Sequence, residues 1–62
     1  MTVKIIQRKP DRDTLERHEY IKRGIVNVKV YQAFNGDFMA RLEKADGKAI
    51  HMNLFFFDFE IQ

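Results

Sequence analysis

The chain has 62 residues, a formal net charge of +2 and no cysteine. That length allows one domain, residues 1–62, and excludes a disulfide framework. The only histidines, His18 and His51, stand in no ligand-spaced cluster, so no metal and no cofactor is expected. A chain this short buries only about 60% of the surface that its unfolded form exposes. Disulfides, metals and oligomers are the usual remedies, and here oligomerisation is the one left. No run approaches the ~20 apolar residues of a membrane span, and MTVKIIQRKP has too short an apolar run for a signal peptide. The reading is a cytoplasmic protein without a membrane partner.

Charge is unevenly placed. Residues 1–31 carry eight Lys/Arg against four acids, whereas residues 32–62 carry three against five. A basic front half suits an acidic partner, whether nucleic acid or protein, although such a split also arises on ordinary solvated surfaces.

Val3-Lys4-Ile5-Ile6 predicts a short strand over 3–6, since β-branched residues favour it. Pro10 ends it. Over 11–23, DRDTLERHEYIKR, a short helix at about 13–22 is expected. Asp11 and Asp13 are N-cap candidates, Asp13–Arg17 and Glu19–Arg23 are i,i+4 pairs, and Gly24 follows two cations. The apolar stripe is thin, and the alternative is an extended segment turning at Arg23-Gly24.

From Gly24 the pattern becomes period two. The residues predict an antiparallel three-stranded meander over about 25–33, 38–44 and 48–57. Asn35-Gly36 and Asp46-Gly47 mark its turns. A two-residue Asp46-Gly47 turn would mix core and solvent on one face. A three-residue loop with glycine at its end sets Leu42 opposite Ile50 and Ala40 opposite Met52. The same loop at Phe34-Asn35-Gly36 sets Val30 opposite Ala40 and Val28 opposite Leu42. One face is then apolar: Val26, Val28, Val30, Phe38, Ala40, Leu42, Ile50, Met52 and Leu54. The fold class is therefore α+β or mostly β, with the N-terminal strand and the 11–23 segment covering that face.

The C-terminus, NLFFFDFEIQ, changes sides. Up to Phe56 the even residues are apolar; from Phe55 the odd ones are, namely Phe55, Phe57, Phe59 and Ile61. A bulge or bend there would pass the chain from one sheet to another. Either residues 57–61 close a small barrel on Val3–Ile6, or they pack on a second subunit; the thin core favours the second. Tyr31 and Met39 on the outer face extend that apolar surface, so the expected interface is Tyr31, Met39, Phe55, Phe57, Phe59 and Ile61.

The same outer face carries a row Lys29, Arg41, His51 beside Tyr31, with Arg8, Lys9 and Arg12 as extensions. Cations beside an aromatic on a sheet can bind single-stranded nucleic acid. Catalysis finds no support: serine and cysteine are absent, and Thr2 and Thr14 have no evident base. The expected function is a non-enzymatic small protein acting through protein–protein contacts as a homodimer. Its size suits an accessory or inhibitory protein of the kind phages and plasmids carry. The alternative is a small nucleic-acid-binding protein using Lys29, Tyr31, Arg41 and His51.

Overall fold

The computed structural model describes residues 1–8 and 18–62. The described residues form six strands and no helix: β1 (Val3–Gln7), β2 (His18–Lys22), β3 (Ile25–Gln32), β4 (Phe38–Lys44), β5 (Ala49–Asn53) and β6 (Phe57–Ile61). They make two antiparallel three-stranded sheets, ordered β2-β1-β6 and β3-β4-β5. The mostly-β class holds.

The helix expected over 13–22 does not. Residues 18–22 are strand β2, paired with β1 from Gln7↔His18 to Val3↔Lys22; residues 13–17 lie outside the described part. The physical reason is the weak stripe. A ten-residue helix with so few apolar contacts is marginal without tertiary support. In β2 the same backbone satisfies its hydrogen bonds against β1. Gly24, at φ 75°, then turns the chain directly into β3.

The meander forms with the expected registers. Val28 pairs with Leu42, Val30 with Ala40 and Gln32 with Phe38. Across the other hairpin, Leu42 pairs with Ile50 and Ala40 with Met52. Both turns are the three-residue type. Ala33 N–H donates to Asp37 C=O at 2.8 Å, Lys44 N–H donates to Lys48 C=O at 2.8 Å, and Gly36 and Gly47 have φ of 91° and 86°. A side chain on Cβ disfavours that left-handed geometry, which is why glycine closes each loop.

Two details depart from expectation. A bulge between Ile25 and Asn27 breaks the alternation, so Ile25 is buried and Val26 is exposed. The third strand also ends at Asn53, not at 57. A turn over 54–56 follows, and β6 crosses to the other sheet, pairing antiparallel with β1 from Gln7↔Phe57 to Val3↔Ile61. Directly paired residues share a face. Phe57, Phe59 and Ile61 therefore lie on the side of Val3 and Ile5, toward the opposite sheet.

The core lies between the sheets. Val3, Ile5, Ile25, Ala40, Leu42 and Met52 form it, with Val28, Ile50, Leu54, Phe57 and Phe59 packed around them. A backbone bond clamps one seam. Ile25 N–H donates to Met1 C=O at 3.1 Å, joining the start of β3 to the residues before β1. The side switch in the C-terminal segment is thus the corner at which one sheet hands the chain to the other.

Candidate functional site

Two surfaces deserve comparison: the outer face of β3-β4-β5, and the end of the molecule where the β3–β4 loop meets the turn over 54–56.

The outer face carries both expected rows, Lys29–Arg41–His51 and Tyr31–Met39–Asn53. Lys29, Tyr31, Arg41 and His51 border a shallow depression of about 800 Å³. Its electrostatics differ from a bare cationic strip. Glu43 stands within it: Lys29 Nζ lies 3.5 Å from Glu43 Oε1, and Arg41 Nε lies 3.4 Å from Glu43 Oε2. The Arg41 contact is an ion pair without hydrogen-bond geometry, since Arg41 Nε is buried and makes no hydrogen bond. Asn27 Nδ2 also donates to Glu43 Oε1 at 3.1 Å. Partial desolvation of Glu43 acts to raise its pKa. The charges of Lys29 and Arg41 and the Asn27 hydrogen bond outweigh it, and the carboxyl is held below its ordinary value of 4.5. Glu43 is therefore an anion at neutral pH.

Two cations against one anion leave a single net positive charge on this patch. The aromatic neighbour is occupied as well. Tyr31 O–H lies 2.9 Å from His51 Nδ1, and the rings meet edge to face with centroids 6.1 Å apart. Arg8, expected to extend the row, sits elsewhere: its guanidinium donates to Leu54 C=O at 2.6 Å and lies 3.8 Å from Asp58. Lys9 and Arg12 lie outside the described residues.

The second surface is aromatic. Phe34, at the tip of the β3–β4 loop, is 113% exposed; Phe55 is 63%, Phe38 59% and Phe56 44% exposed. The backbone beneath them is well tied. Asn53 Nδ2 donates to Asp37 Oδ2 at 2.9 Å, joining the loop to the end of β5. Asn35 Oδ1 accepts from Asp37 N–H at 3.0 Å, and Asn53 Oδ1 accepts from Phe55 N–H at 2.9 Å. Phe55 and Phe56 stack edge to face at 5.0 Å. These are four phenylalanines displayed on ordered backbone.

The expected interface residues divide among three places. Phe55 belongs to the aromatic end. Phe57 and Phe59 are half-buried against the core, and Ile61 is exposed at the end of β6. Tyr31 and Met39 stay on the outer face, beside Glu43 and His51. Sequence reasoning overlooked Phe34, Phe38 and Phe56 as surface groups. Phe34 had a signal: a loop tip has no inner face, so a phenylalanine placed there has nothing to pack on. Phe38 and Phe56 had none, because both follow the core alternation; in the structure Phe38 opens β4 beside the loop and Phe56 lies in the turn over 54–56.

Among the described residues no group of three or more His, Asp or Glu side chains is placed to hold a metal ion. Nor, among these residues, is any helix long and apolar enough to cross a membrane. The chain matches no family model, and no curated protein or solved structure matches it significantly.

Proposed function

We propose that this chain is a non-enzymatic protein-binding module whose working surface is the aromatic end, and that a second copy of itself is its first partner. The observation that carries this reading is the exposure of Phe34, Phe38, Phe55 and Phe56 on one tied-down end. Exposed large apolar patches mark interaction sites, and aromatic residues are the enriched interface type.

The area is adequate. At ~200 Å² per phenylalanine, the four exposures amount to about 560 Å² of mostly apolar surface on each copy. Two copies face to face would cover roughly 1,100 Å², just above the ~1,000 Å² that separates specific interfaces from casual ones. That puts the dimer in the weak, reversible class, free to exchange one copy for another protein. The same end then serves self-association and binding to a target, which suits an accessory or inhibitory protein.

The nucleic-acid alternative is weaker on this geometry, because Glu43 sits between the two cations that a phosphate would need. Sedimentation velocity over the micromolar range tests the leading reading, with oligonucleotide anisotropy at low salt alongside. The expected result is a concentration-dependent rise from the 7.4 kDa monomer toward twice that mass, without salt-sensitive oligonucleotide binding. A 7.4 kDa particle at every concentration removes self-association. Tight, salt-sensitive oligonucleotide binding restores the alternative.

A further inference from the structure

Two unpaired strand edges flank an apolar groove, away from the aromatic end. Among the described residues β2 pairs only with β1, and β5 only with β4. Between them lies a groove of about 330 Å³, lined by Ile5, Ile50, Met52 and Phe57, with Tyr20 and Lys22 among its rim groups. Among the described residues no backbone hydrogen bond crosses it.

Strand parity identifies the backbone groups that border the gap. Lys44 N–H donates to Lys48 C=O, and Leu54 N–H donates to Phe38 C=O. Alternate residues of an antiparallel strand bond to opposite sides. Ile50 and Met52 therefore bond to β4, and the N–H and C=O groups of Ala49 and His51 point to the open edge. Asn53 ends the run, since its C=O already accepts from Phe56 N–H at 3.1 Å.

The other edges are protected. On β3, Val28 N–H is taken by Asn27 Oδ1 at 3.0 Å, and the Ile25–Asn27 bulge distorts the strand's start. On β6, Asp58 and Glu60 alternate with the apolar residues, as charged gatekeepers do on exposed edges. β5 has neither device. Its sequence Ala49-Ile50-His51-Met52-Asn53 carries no full charge.

We propose that β5 accepts an extended segment of a partner protein as an added strand, and that this segment alternates apolar and acidic residues. Main-chain bonds to Ala49 and His51 would supply affinity, and the alternating side chains specificity. Residues opposite Ile50 and Met52 point into the groove and continue the core, so they must be apolar. A residue opposite His51 points outward and extends the row Lys29–Arg41–His51. That row is net cationic. Among the described residues no Asp or Glu lines the groove. An acidic outward residue is therefore the complement, and a lysine there would be repelled.

The probe is a fluorescein-labelled, glycine-flanked peptide alternating valine and glutamate, titrated with the intact chain in an anisotropy assay. Saturable micromolar binding is expected, with amide shifts at Ala49 and His51 by NMR. His51→Glu, on the exposed outer face directly beside the acidic residue of the added strand, should weaken binding about fivefold while leaving the circular dichroism unchanged. N-methylation of the peptide amides that would face β5 should abolish binding, whereas N-methylation of the alternate amides should not. Phe34→Ser should leave the peptide affinity unchanged, which keeps this site separable from the aromatic end. The proposal is overturned by absence of saturable binding, by equal binding of the valine–lysine peptide, by indifference to N-methylation, or by amide shifts confined to residues 34–38 and 54–56.

Discussion

Replacing Phe34 by serine separates a folding role from a docking role. In the single chain the ring is fully exposed and covers no other residue, so its removal should change folding stability by no more than about 0.5 kcal/mol. At a two-fold interface the same ring becomes buried. Burial of a phenylalanine is worth about 1.5–3 kcal/mol, and a symmetric dimer loses it on both sides, so the variant forfeits roughly 3–6 kcal/mol of association free energy. Each 1.4 kcal/mol is about a factor of ten, which weakens the dimer by two to four orders of magnitude. Starting from a weak, micromolar dimer, the variant should be monomeric at any workable concentration. Paired sedimentation and thermal-melting runs on the two proteins measure both sides. If Phe34→Ser lowers the melting temperature but leaves the mass distribution untouched, the ring serves the fold, and the reasoning about the aromatic end is wrong.

Other consequences are equally direct. Leu42 is fully buried between the sheets, so Leu42→Ala should cost about 2–5 kcal/mol; in so small a domain that leaves a chain largely unfolded by circular dichroism. Gly47 has φ 86° and open space where a Cβ would go, so Gly47→Ala should lose roughly 1–2 kcal/mol through backbone strain alone. Gly47→Asn should recover part of that loss, since asparagine tolerates the left-handed region, and urea melts of the pair check it. Glu43 is held below 4.5 in the folded state, so its contribution is complete above that value and is lost as pH falls through the lower folded value. Urea midpoints should therefore drop on acidification in the native chain, and the part of that drop due to Glu43 should vanish in Glu43→Gln. Equal slopes in the two proteins would show that the Lys29–Glu43–Arg41 cluster is only a solvent-screened surface feature.

The meander was legible because its information is local. Period-two alternation, a glycine at the left-handed position of each loop and the need for one uniform apolar face together leave one register, in which Leu42 meets Ile50 and Val30 meets Ala40. The side switch in the C-terminal segment was legible for the same reason, since Phe57, Phe59 and Ile61 occupy the parity opposite to Ile50 and Met52; its destination was not, because the thin core pointed to a second subunit whereas the segment pairs with β1 of its own chain. Residues 18–22 were harder. Glu19 stands four residues before Arg23, a spacing that suits a helix, yet HEYIK also pairs well as a strand. The choice rested on whether β1 offered a partner edge, which is a long-range matter.

The candidate sites divide along the same line. The cationic row could be read from strand parity, but Glu43, one register step away, neutralises half of it through side chains meeting across β3 and β4. Phe38 and Phe56 carry the same parity as core residues in the sequence, yet both are exposed, Phe38 at the start of β4 and Phe56 in the turn over 54–56. Composition, alternation and turn chemistry by themselves determined a β-rich fold, its hairpin registers and the point at which its last strand changes sheets, because each depends on neighbours a few residues apart. Tertiary structure alone decided that 18–22 is a strand, which phenylalanines are covered and which strand edge stays open. Those outcomes depend on how segments distant in the chain come together, and no local pattern encodes that.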